Sequence, residues 1–179
     1  MVGLSAVADP FIRIVLTDKW EGTIYYLQIL CFALMWYPIH AINLNLLQVK
    51  GRSDYFLKVE VLKKILGVAT LCVTIPLGLV AMCYGRVFTS VLCLALNTYY
   101  TNKLIGYGFL AQMKDLTHII IHSLIMFGLV FAIMQWLPSL WLQLVIGIVV
   151  GVAYYVIGAY LMKFDELKEV MSILKLKRA

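Results

Sequence analysis

His40 and Asn43 lie three residues apart in a mainly apolar stretch, so on a helix they share a face, while Asn45 points elsewhere. Gln48 follows towards the end of the same stretch. These side chains offer hydrogen-bond donors and acceptors without a fixed charge. Inside a membrane they can line the path of a polar head group, or they can tie neighbouring helices together. Arg13, close to Asp9 near the start of the chain, is a cation that can meet a pyrophosphate or snorkel to lipid phosphates. His118 and His122 are spaced i, i+4, which suits a shared metal, but Thr117 and Ser123 beside them are weak ligands. Interfacial histidines account for the pair. Cys31, Cys72, Cys83 and Cys93 form no C-x-x-C motif and are expected as small buried hydrophobes. No catalytic residue, cofactor or metal is expected, and the chain is expected not to be an enzyme.

The elements that must position these residues are apolar. Of the 179 residues, 63% are hydrophobic and 13% charged, with mean hydropathy +0.93. A soluble domain carries about a quarter charged residues, so an all-α, polytopic transmembrane helix bundle is expected. The alternation of a membrane barrel is missing. Five full spans are expected at about 22–47, 65–84, 87–104, 116–136 and 139–162, each near the roughly 20 apolar residues that a bilayer requires. Residues 1–21 are read as the end of a sixth, truncated helix, broken at Asp9-Pro10, followed by a short interfacial segment. Residues 22–162 form the five-span region and 163–179 an amphipathic tail.

The net charge of +6 is sorted by loop rather than spread as a nucleic-acid surface. Lys50, Arg52, Lys58, Lys63 and Lys64 fall between the first and second spans, Lys103 and Lys114 between the third and fourth, and five more basic residues after the fifth. The alternate connections hold little: Lys19 before the first span, Arg86 at Tyr84-Gly85-Arg86 between the second and third, and no basic residue at Leu137-Pro138-Ser139. Basic loops stay cytoplasmic, so the first span should run inwards and the C-terminus should be cytoplasmic. Trp136 and Trp141 suit an aromatic belt. The helix from about Tyr55 is expected to lie among the headgroups before entering the second span, its charges acting as anchors. Asn97, Thr98, Tyr99, Tyr100 and Thr101 are expected as an interfacial end of the third span. Pro76 should kink the second span, as a hinge or as simple shape. Gly147 and Gly151 form a G-x-x-x-G expected to pack within the protein. No Asp or Glu falls in the five expected cores.

The block YPIHAINLNLLQVKGRSDYFLKVEVLKK, from Tyr37 to Lys64, resembles the C-terminal half of Wzx-like polysaccharide and O-antigen flippases, of the multidrug/oligosaccharidyl-lipid/polysaccharide exporter superfamily. The flanking ADPFIRIVLTDKW and IPLGLVAMCYGRVFTSVLCLALNTYYTNKLIGYG are similar too. The resemblance implies part of the C-lobe of a two-lobed, V-shaped transporter, its N-terminal lobe being the intramolecular partner missing here. It implies translocation of undecaprenyl-pyrophosphate-linked oligosaccharide across the bacterial inner membrane, through the full-length parent, for lipopolysaccharide, capsule or exopolysaccharide synthesis. His40, Asn43, Gln48 and Arg13 are the candidates for the substrate path; no family residue carries over to a numbered position. The expected partners are the bilayer and the lipid-linked substrate, not nucleic acid. A drug/cation antiporter of the same superfamily, or a membrane-embedded glycan polymerase or acyltransferase, is the alternative.

Overall fold

Apolar residues at helical spacing build helices throughout the computed structural model, which describes residues 1–161, with side chains through residue 158. The chain order is α1 Val2–Ala6, α2 Ala8–Val15, a 3-10 turn Asp18–Trp20, α3 Thr23–Leu34, α4 Tyr37–Val49 and α5 Ser53–Thr74. A second 3-10 turn, Ile75–Leu77, leads to α6 Leu79–Ile105, α7 Phe109–Met134 and α8 Leu140–Leu161. There is no strand among the described residues. The expected tail at 163–179 and the last residue of the fifth span lie outside them.

Among the described residues four stretches are long and apolar enough to cross a membrane: Thr23–Val49, Leu79–Ile105, Phe109–Met134 and Leu140–Gly158. The first joins α3 and α4 across a break at Met35–Trp36. Pro38 has no N–H for the carbonyl four residues back, which accounts for the break. The expected spans 65–84 and 87–104 do not exist as drawn. The chain turns at Ile75–Gly78, inside the first, and α6 runs without interruption through Tyr84-Gly85-Arg86, the expected outer loop. Pro76 therefore ends a helix instead of kinking one, and Gly78, at φ 93°, supplies the left-handed residue that caps the turn.

The helix from Ser53 packs along α6 as an antiparallel hairpin, Tyr55 beside Tyr100 at one end and Thr74 beside Gly85 at the other. Its 22 residues span about 33 Å, enough to accompany α6 for most of its length. Near the N-terminus the helix is not broken at Asp9-Pro10: the bend falls at Val7, and Pro10 sits in the first turn of α2, where a missing N–H costs little.

Each long helix now runs between two ends of the bundle. Lys50, Arg52, Lys103 and Lys114 mark the basic end; Asp18, Trp20, Trp136 and Trp141 mark the aromatic end. The helices pack as a row, with α5 against α6, α6 against α3 and α4, α1 between α3 and α7, and α7 against α8. Ala6 and Val7 bury against Met126, Val130 and Met134. Gly147 belongs to this core: a Cβ there would lie 2.9 Å from Val7 Cγ1, so the G-x-x-x-G faces the bend at Val7 and α7 of the same chain.

Candidate polar seam at the α4–α5–α6 interface

The break at Met35–Trp36 interrupts the carbonyl ladder of the first span, and α6 attaches there. Ser90 of α6 donates a 2.8 Å hydrogen bond to the Ala33 carbonyl. Two turns towards the basic end, the Asn97 amide lies 2.9 Å from His40 Nδ1, which accepts the bond in the tautomer protonated at Nε2. Asn97 is fully buried, with Thr98 and Thr101 1% exposed. They are core residues and not the interfacial anchors expected. Asn97 Oδ1 and Thr101 Oγ1 take no hydrogen bond among the described residues, two unsatisfied buried acceptors one turn apart.

Asn43, one turn further along α4, closes a reciprocal amide pair with Gln112 of α7. Asn43 Nδ2 donates to Gln112 Oε1 at 3.0 Å, and Gln112 Nε2 donates to Asn43 Oδ1 at 3.1 Å. Both residues are buried. Gln112 also reaches the Tyr107 carbonyl at 3.3 Å and so fixes the α6–α7 connection. Of the two roles open to Asn43, helix-to-helix bonding is the one its geometry serves. Gln48 is exposed at the basic end.

Arg13 is remote from these three. It lies on α2 by the start of α3, a whole span from Gln48. Its guanidinium meets Asp9 at 2.9 Å, Asp18 at 3.3 Å and Glu21 at 2.5 Å. Hydrogen bonds to Asp9 and Glu21 raise its pKa above the ordinary arginine value. Three carboxylates around one cation leave little attraction for a pyrophosphate. The candidate path residues thus form one group, His40 and Asn43 within α4, with Gln48 beyond it and Arg13 apart.

The α5–α6 hairpin adds polar contacts that spacing did not reveal. Thr89 donates to Thr70 Oγ1 at 3.0 Å, and Thr70 and Thr74 bond back to carbonyls of their own helix at 2.8 Å. Gly85 makes this approach possible, since a Cβ there would lie 2.8 Å from Thr74 Cγ2 and 2.9 Å from Thr70 Cγ2. Glu60 and Lys63, half-buried and 3.3 Å apart, ride on α5 well inside the hairpin. Glu60 lies outside the five expected cores and outside the four candidate spans.

A second feature is apolar. A groove of about 480 Å³ opens between α1, the α3–α4 break and α7, walled by Cys31, Met35, Ile39, Leu116, Ile120 and Phe127 among others. Cys31 is buried as expected, but Cys72 is exposed on α5. His122 stacks on Tyr154 at 4.8 Å between α7 and α8, in a buried position and not at an interface. Among the described residues no group of histidine, cysteine and carboxylate could hold a metal. No family model, curated protein or solved structure matches the chain.

Proposed function

We propose that the chain is a helical unit of an exporter that carries undecaprenyl-pyrophosphate-linked oligosaccharide from the cytoplasmic to the periplasmic leaflet. The basic end faces the cytoplasm and α3 begins on the periplasmic side of the inner membrane. The observation that carries this reading is the form taken by the Tyr37–Lys64 block, on which the resemblance to polysaccharide flippases rests. It folds as one unit, α4, a tight turn and the start of α5. Its polar side chains His40 and Asn43 point into the bundle, while Met35 and Ile39 face the apolar groove. A polyprenyl chain suits such a groove, whose volume lies in the range of small-molecule sites of about 300–1,000 Å³. Alternating access requires a second body rocking against this one, and the N-terminal lobe implied by the resemblance fills that role.

Glu60 supports a second reading. A drug/cation antiporter of the same superfamily calls for a carboxylate inside the membrane, and the half-buried Glu60–Lys63 pair on α5, outside the four candidate spans, is the feature that comes nearest to one. The glycan polymerase and acyltransferase reading gains nothing comparable.

Deletion of the coding sequence in its own host separates the two. The exporter reading expects loss of surface polysaccharide and accumulation of the undecaprenyl-linked precursor, both reversed when the gene is restored. Unchanged polysaccharide together with increased sensitivity to cationic drugs would overturn it in favour of the antiporter.

A further inference from the structure

At the basic end, three cations from two sides of the hairpin gather round a single ring. Arg52, in the α4–α5 turn, places its guanidinium carbon 4.1 Å from the centroid of Tyr55. Lys58 Nζ of α5 lies 5.9 Å from the same centroid and Lys103 Nζ of α6 lies 5.7 Å from it. Tyr100 packs against Tyr55 at 5.5 Å and Tyr99 against Tyr100 at 5.5 Å, which makes a firm aromatic floor. Among the described residues the one carboxylate that meets these cations is Asp54, and Arg52 already holds it through Nε and Nη2 at 3.1 Å each. Neither lysine has a carboxylate within ion-pair distance among the described residues. Like charges held this close repel one another, and the ring quadrupole offsets only part of that. The arrangement is complementary to an anion.

An apolar groove begins directly beneath. It holds about 390 Å³ and is lined by Leu57, Lys58, Val61, Leu62, Ile65 and Tyr100. Leu57, Val61 and Ile65 follow one another at four-residue spacing, so they form a single stripe down α5. All three are at least half exposed. Lys58 and Tyr100 belong both to the cation cluster and to the groove, so the two are one continuous amphipathic feature.

We propose that this feature is a binding site for an anionic phospholipid of the surrounding leaflet. Its phosphate is held by Lys58, Lys103 and Arg52, and one acyl chain lies along Leu57, Val61 and Ile65. The sequence places these lysines in different loops; only the hairpin register brings Lys103 to Lys58. The site lies on the α5–α6 face, away from the groove between α3–α4 and α7, and stands independently of the transport reading.

The test is lipid retention by the purified full-length chain in native mass spectrometry, with phosphatidylglycerol, phosphatidylcholine, undecaprenyl phosphate and inorganic phosphate as separate probes. Phosphatidylglycerol should be retained over phosphatidylcholine. Replacement of both lysines, K58Q/K103Q, should weaken it roughly 30-fold, as each lysine near an anionic surface contributes about 1 kcal/mol. K58R/K103R should restore binding, which separates loss of charge from loss of fold. Leu57→Trp with Val61→Trp should weaken phosphatidylglycerol while K114Q, on α7, leaves it unchanged. Equal loss in K114Q, unchanged binding in K58Q/K103Q, equal binding of inorganic phosphate, or tighter binding of undecaprenyl phosphate would each overturn the proposal.

Discussion

Asn43 and Gln112 satisfy each other's amides across two helices, so removing one leaves the other buried without a partner. Asn43→Leu alone should lower stability by about 1–3 kcal/mol, towards the lower end in a bilayer, while Asn43→Leu with Gln112→Leu should recover most of it. A double-mutant cycle on unfolding in detergent micelles measures this; additive losses would show that the pair is not coupled. Gly85→Ala should cost about 1–3 kcal/mol by overpacking, because the Cβ meets stiff β-branched threonines and not a flexible chain end. Asp54 titrates at the exposed start of α5, its pKa lowered mainly by the hydrogen bonds from Arg52. Its contribution is present above the ordinary carboxylate pKa and fades as pH falls through the lower native value. Asp54→Asn should therefore flatten the acid limb of a stability profile slightly and leave neutral pH nearly unchanged. His40 and Asn43 stood out in the sequence as polar residues among apolar ones. Their partners Asn97 and Gln112 did not, because pairing across so many residues is set by the register of packed helices and leaves no local pattern.

At the scale of elements, hydropathy located the apolar stretches but misplaced one boundary. Pro76 and Gly78 were legible as punctuation, yet the apolar residues on both sides favoured a continuous span across them. Two turn signals competed, and the Arg86 charge drew the loop towards Tyr84-Gly85-Arg86. The structure puts Arg86 inside α6, in the second turn of that helix. Single cysteines in a cysteine-free background distinguish the two arrangements. Leu77→Cys should react quickly with a membrane-impermeant maleimide, and Val87→Cys slowly. Faster labelling at position 87 than at 77 would restore the loop read from the sequence. The hairpin also explains why the basic residues of α5 do more than anchor: packing beside α6 carries Lys63 and Glu60 inwards.

For the whole molecule, composition and charge sorting were enough to announce a helical membrane bundle, because both follow from the cost of placing backbone and charge in hydrocarbon. The four candidate spans agree with that, and the basic residues collect at one end of the bundle as the loop charges foretold. The route of a substrate was not legible. It depends on which faces remain open after packing, as the groove at the α3–α4 break shows. The proposed function makes that groove the seat of a polyprenyl chain. Reconstitution of the chain with a photoreactive undecaprenyl-pyrophosphate disaccharide tests it most directly. The account predicts labelling of α3–α4 around Cys31, Met35 and Ile39 and of α7 around Leu116 and Ile120, exceeding that from photoreactive phosphatidylethanolamine and competed by the unlabelled substrate. Equal labelling by both lipids, or labelling confined to other helices, would contradict it.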